Sequence, residues 1–116
     1  MFTKIRSYIL VASFCVVALL AGSARANAQS YNRVVDIVDQ ASAPIYHLYI
    51  SNVGSGFWGP DQLGAYQSIS INHYRTFNID DGTGYCVFDL MAVLSDGRVA
   101  ITRNFNVCSQ SSWTVY

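Results

Sequence analysis

At 116 residues the chain has room for one small domain and not two. Seven Lys and Arg balance seven acidic residues, but Lys4, Arg6 and Arg25 all lie in the first segment. Beyond it only Arg33, Arg75, Arg98 and Arg103 face seven aspartates, with no Lys and no Glu. That balance argues against nucleic acid or an anionic membrane as partner, since both select basic patches.

The N-terminal segment reads as an export leader. Lys4 and Arg6 precede a nearly unbroken apolar run over residues 8–21, and Ala24-Arg25-Ala26 offers small residues at the positions a signal peptidase reads. The expected boundary is a signal peptide over 1–26, or 1–28 if cleavage follows Ala28, and one domain over 27–116. The apolar run is shorter than the roughly 20 residues of a bilayer span, so no membrane span is expected after cleavage. Cys15, inside the run and preceded by Phe14, leaves with the leader. The mature protein is expected in the periplasm or outside the cell.

After residue 31 no 3.6-residue periodicity is sustained; short β-branched and aromatic runs alternate with Gly, Asp, Asn and Ser clusters. The pattern predicts an all-β, antiparallel β-sandwich of about seven strands, near 33–38, 45–51, 67–71, 74–79, 85–94, 99–107 and 113–115. His47 alternates onto the face of Ile45 and Tyr49. Pro60 suits a first helical position and Gly64 the residue past a helix end, which predicts one short helical turn at 61–63.

Asp96-Gly97 predicts a two-residue type I′ hairpin. Its register sets Leu94 opposite Val99, Ala92 opposite Ile101, Phe88 opposite Phe105 and Cys86 opposite Val107, an apolar face on which Arg103, opposite Leu90, is the exception. Cys86 and Cys108 are the two cysteines left after the leader, and in an oxidising compartment an isolated pair reads as a disulfide. In this register alternation points Cys108 away from Cys86, so the bond needs a bulge on the second strand or a bend after Val107. Asp89 alternates onto the other face and needs hydrogen bonds or a cation; simple pairing across the Asp80 to Gly84 loop offers Arg75, while a one-residue slip would instead put Phe77 and Ile79 on the core face.

Several blocks together resemble a group of small exported bacterial proteins with no assigned activity. They are Leu48-Tyr49-Ile50-Ser51, Trp58-Gly59-Pro60-Asp61-Gln62-Leu63-Gly64, Cys86-Val87-Phe88-Asp89-Leu90, Asp96-Gly97-Arg98 and Asn104-Phe105-Asn106-Val107-Cys108. The resemblance spans residues 45–108 and implies a disulfide-linked β domain from a bacterium. It implies no activity and no catalytic residue. Residues 70–75 lack the Pro-Gly turn of that group, which leaves the geometry of this turn open.

No catalytic motif stands out. There is no Gly-x-Ser-x-Gly elbow, His47 and His73 lie in no recognisable ligand or triad spacing, and paired-carboxylate chemistry has no Glu to draw on. Asp80-Asp81-Gly82-Thr83-Gly84 is the best cation candidate, yet its spacing suits an ordinary turn better than a calcium loop. No cofactor and no metal is therefore expected. Phe57, Trp58, Trp113 and Tyr116, with Tyr66, are the candidate ligand surface, because exposed aromatics mark recognition sites. The structural alternative is that Trp58 plugs one end of the domain while Trp113 and Val115 add an edge strand. The expectation is a non-catalytic recognition module for a protein or glycan; a structural envelope protein and a small enzyme with a dispersed site are the alternatives.

Overall fold

A computed structural model describes residues 31–116; the expected leader and Cys15 lie outside the described residues. The described chain is all-β. Its strands are β1 (Val34–Asp39), β2 (Ile45–Asn52), β3 (Tyr74–Asn78), β4 (Val87–Leu94), β5 (Val99–Asn106) and β6 (Ser112–Val115). They form two three-stranded sheets, ordered β3-β1-β6 and β2-β4-β5. The seven-strand count is thus corrected to six, and the pairing is not wholly antiparallel, because β6 runs parallel to β1 with Trp113 opposite Ile37.

Strict alternation builds the core. Along β1, Val35, Ile37 and Asp39 are buried; along β4, Phe88, Leu90, Ala92 and Leu94 are buried while their neighbours face outward. The apolar ones among them join Ile45, Leu48, Phe105 and Val115 in one cluster drawn from both sheets. Fully burying a side chain such as Leu90 stabilises the fold by roughly 1.5–3 kcal/mol. The buried Arg33 is satisfied by carbonyls, donating from Nε to Tyr85 O at 2.8 Å and from Nη2 to Gly84 O at 3.0 Å. It thereby ties the crossover that enters β4 to the residue preceding β1.

The expected strand at 67–71 shrinks to one bridge, in which Ile45 and Ile69 exchange backbone hydrogen bonds of 2.9 and 3.0 Å. Pairing goes no further because a bulge follows Ile45 and another segment occupies the next stretch of the β2 edge. There Gln62 N donates to Leu48 O at 2.7 Å, and Leu48 N donates to Asp61 Oδ1 at 3.0 Å. The same Asp61 oxygen accepts from Leu63 N at 3.0 Å. This capture of local backbone by a side chain competes with helix formation, and it replaces the expected helical turn at 61–63. The bulge also corrects His47: Ile45 and Leu48 take the core face, while His47 is exposed beside Tyr49. At the turn lacking Pro-Gly, Asn72 supplies the positive φ, at 64°.

The β4–β5 hairpin departs from the type I′ expectation. Leu94 O accepts from Gly97 N at 3.0 Å and Leu94 N donates to Arg98 O at 2.8 Å, so the loop has three residues, 95–97, with only Gly97 at positive φ. Asp96 favours this loop by accepting from Arg98 N and Nε. The register beside the turn therefore moves to Val93 opposite Val99 and Met91 opposite Ile101. Such a slip exchanges faces: Val99 and Ile101 point outward, and Ala100 and Thr102 lie opposite the core residues Ala92 and Leu90.

A bulge of Arg103 and Asn104 opposite Asp89 then restores the expected pairs, Phe88 with Phe105 and Cys86 with Val107, whose N donates to Cys86 O at 2.8 Å. Beyond Asn106 the chain bends: Gln110 N donates to Asn106 O, and Cys108 N to Asn106 Oδ1. The bend brings Cys108 to Cys86, with Cα atoms 5.3 Å apart, and the two are disulfide-bonded. Of the two devices expected to reconcile the cysteines, the terminal bend is the one that acts: the β5 bulge only offsets the longer loop and leaves Cys86 opposite Val107.

Candidate functional site

Two of the concavities that border the β2-β4-β5 sheet are built on fixed side chains. The first grows out of the β5 bulge. Asn104, held at φ 57°, donates its N–H to Asp89 Oδ1 at 3.0 Å, while Arg103 Nη1 donates to Asp89 Oδ2 at 3.0 Å. Asp89 thus takes its cation from the bulge, which corrects the pairing with Arg75. That residue lies on β3 in the other sheet and donates instead to Gln67 Oε1. From its anchored position the Arg103 guanidinium covers the Trp58 ring at 5.5 Å, a cation–π contact. Ser51 Oγ donates to Phe57 O at 2.9 Å and Ser55 Oγ does so at 3.1 Å, pinning the loop that carries both aromatics. The result is a cleft of about 240 Å³ lined by Ser51, Phe57, Trp58, Asp89 and Arg103 among others. Phe57 stands 76% exposed at its rim.

Of the four aromatics singled out from the sequence, the structure brings Phe57 and Trp58 together and leaves Trp113 and Tyr116 elsewhere. Trp113 is half-buried on the edge strand β6 and packs against the core, as its structural alternative proposes. Tyr116 is exposed beyond β6 and lines no part of this cleft.

The second concavity, about 340 Å³, was not legible in the sequence. Its lining includes Tyr46, His47, Asp61, Tyr66, Gln67 and Ser68. His47 Nδ1 lies 2.7 Å from Asp61 Oδ2. Burial pushes the Asp61 carboxyl up, but the amide of Leu48, the His47 ring and the amide of Leu63 outweigh it and hold the group below its ordinary value. An ionised carboxylate only accepts, so the proton of this contact sits on Nδ1, and Nε2 has no hydrogen-bond partner among the described residues. The arrangement is the base-and-orienter half of a nucleophilic site, but among the described residues no hydroxyl is hydrogen-bonded to His47. Fourteen residues separate the pair, and the only sequence hint was an aspartate two residues before Leu63, which suits an Asx turn.

At the candidate cation loop three of the four carboxylate oxygens are already engaged. Asp81 Oδ1 accepts from Thr83 N at 3.1 Å and from the Thr83 hydroxyl, and Oδ2 from Asn52 Nδ2 at 2.8 Å. Asp80 Oδ1 caps Gly82 N at 3.0 Å. Asp36 and Asp39 sit on β1, where Thr76 holds Asp36 and Asp39 is buried. Among the described residues no three His, Cys, Asp or Glu side chains stand together as metal ligands. His73 Nδ1 lies 3.0 Å from Ile71 O in an exposed turn. No helix among the described residues is long and apolar enough to cross a membrane.

No known protein family, no curated protein and no solved structure matches the chain.

Proposed function

We propose that this is an exported, non-catalytic recognition module that binds a protein partner through the outer face of the β2-β4-β5 sheet and the adjoining Trp58 cleft. The observation that carries the reading is an apolar surface on a pinned scaffold. Val99 and Ile101 are 54% and 47% exposed on the outer face, Tyr49 and Met91 occupy the same row as Ile101, and Phe57 stands exposed at the cleft beside the row of Ser51 and Asp89. Contiguous exposed apolar side chains with an anchored aromatic–arginine pair are the composition of protein interfaces. Export is supported by the basic, apolar and small-residue pattern of residues 1–26, and the Cys86–Cys108 bond is compatible with an oxidising compartment, periplasmic or extracellular. The shared core cluster supports reading the two sheets as layers of a small sandwich. The resemblance to small exported bacterial proteins fits the same setting.

The test is an affinity capture from the native envelope and culture fluid with the wild type, Trp58→Ala, Ile101→Ser and Tyr116→Ala, each checked by thermal melting. Proteins retained by the wild type and Tyr116→Ala but lost by the other two support the reading. An identical retained set for all four overturns it, and retention of polysaccharide alone moves the reading to a glycan.

A further inference from the structure

We propose that the concavity between β2 and residues 61–68 is a binding site for a neutral saccharide ring, separate from the Trp58 cleft. At about 340 Å³ it lies within the roughly 300–1,000 Å³ range of small-ligand sites. What distinguishes it from an accidental dent is that its polar groups are fixed from behind. His47 is held through Nδ1 by Asp61, which leaves Nε2 as a free donor or acceptor. Gln67 is held through Oε1 by Arg75 Nη1 at 2.9 Å, which leaves both N–H groups of its amide to donate. Gln67 N in turn closes the 64–67 turn on Gly64 O at 3.0 Å, so the side chain departs from a fixed backbone. Preorganised groups of this kind lose little freedom on binding.

The chemistry of the ligand follows from what the lining offers and lacks. No Lys or Arg lines the site, so it has no clamp for phosphate or carboxylate. The sole carboxylate, Asp61, already accepts from two backbone amides and from His47, so it has little to offer a cation or an ammonium group. A neutral ligand remains. The free His47 Nε2, the Gln67 amide and the Ser68 hydroxyl call for several hydroxyls, while the exposed rings of Tyr46 and Tyr66 call for an apolar surface. An apolar ligand would strand the polar atoms, and a flexible polyol would leave the rings uncovered. A pyranose, with hydroxyls at its edge and C–H groups on its face, meets both demands.

The experiment is a titration of the ¹⁵N-labelled protein with the methyl glycosides of glucose, galactose, mannose and N-acetylglucosamine into the millimolar range. The Gln67 side-chain amide and the backbone amides of Tyr46, His47 and Ser68 are followed by NMR. At least one glycoside is expected to shift these resonances saturably. Gln67→Ala and His47→Ala should each weaken that binding about threefold to tenfold, the worth of one hydrogen bond. Trp58→Ala, which disables the proposed protein surface, should leave it unchanged, so the two readings fail independently. The absence of saturable shifts with all four glycosides overturns the proposal. So does binding indifferent to Gln67→Ala and His47→Ala, or binding lost with Trp58→Ala.

Discussion

Asp39→Asn should stabilise the protein at neutral pH and lose its advantage in acid. Asp39 is completely buried, and its Oδ1 accepts from Ala41 N at 2.9 Å while Oδ2 has no hydrogen-bond partner. Burial pushes its pKa up, and the Ala41 amide, the nearby Ile45 amide, which itself donates to Ile69 O, and the charge of Arg98 recover only part of the shift. A pKa raised on folding means that the native state holds this proton more tightly than the unfolded chain. The stabilisation from Asp39 is therefore full below the unfolded value, near 4, and is lost as pH rises through the folded value. At about pH 7 the native state either carries an unmet buried charge or expends free energy to keep the group protonated. Asparagine keeps the acceptor for Ala41 and removes the charge, exchanging a charged unmet atom for a neutral one. A buried unmet group costs about 1–3 kcal/mol and a charged one more, so the gain is put at about 1–2 kcal/mol. For a domain of this size that is roughly 4–16 °C in melting midpoint. Urea unfolding of wild type and variant across the acid to neutral range measures it. A gap that stays constant with pH, or a variant less stable at neutral pH, would refute the reasoning.

Other outcomes follow from the same geometry. Replacing both Cys86 and Cys108 by Ala opens a link between residues 22 apart and should cost about 3 kcal/mol in the chain-entropy estimate, read as a fall in urea midpoint; an unchanged midpoint would contradict a disulfide that stabilises by closing the hairpin's open end. Calcium should not raise the melting temperature relative to chelator, because the Asp81 oxygens are already used by Thr83 and Asn52. Site occupancy at 100 times the dissociation constant would add about 2.7 kcal/mol, and a rise that vanishes in Asp81→Ala would show a site there.

The sequence by itself determined whatever depends on alternation and residue chemistry. The β4 pattern of Phe88, Leu90, Ala92 and Leu94 announces a strand with one buried face, and the period of two leaves little choice about which residues point in. The pairing of Cys86 with Cys108 was likewise open to reading from residue identity. Tertiary structure decided everything that turns on which backbone groups find each other. Asp96 accepting from Arg98 converts the expected two-residue loop to three residues, and that single residue sends Val99 and Ile101 to the solvent face until the Arg103–Asn104 bulge compensates. Asp61 bonding to Leu48 and Leu63 turns an expected helical turn into an edge cover and delivers the carboxylate to His47. β3 joins β1 rather than β4, which separates Arg75 from Asp89. Local pattern says that a residue is buried or extended, but the choice between near-equal hydrogen-bond partners is made by the assembled chain, where a one-residue change of register exchanges the two faces of a strand.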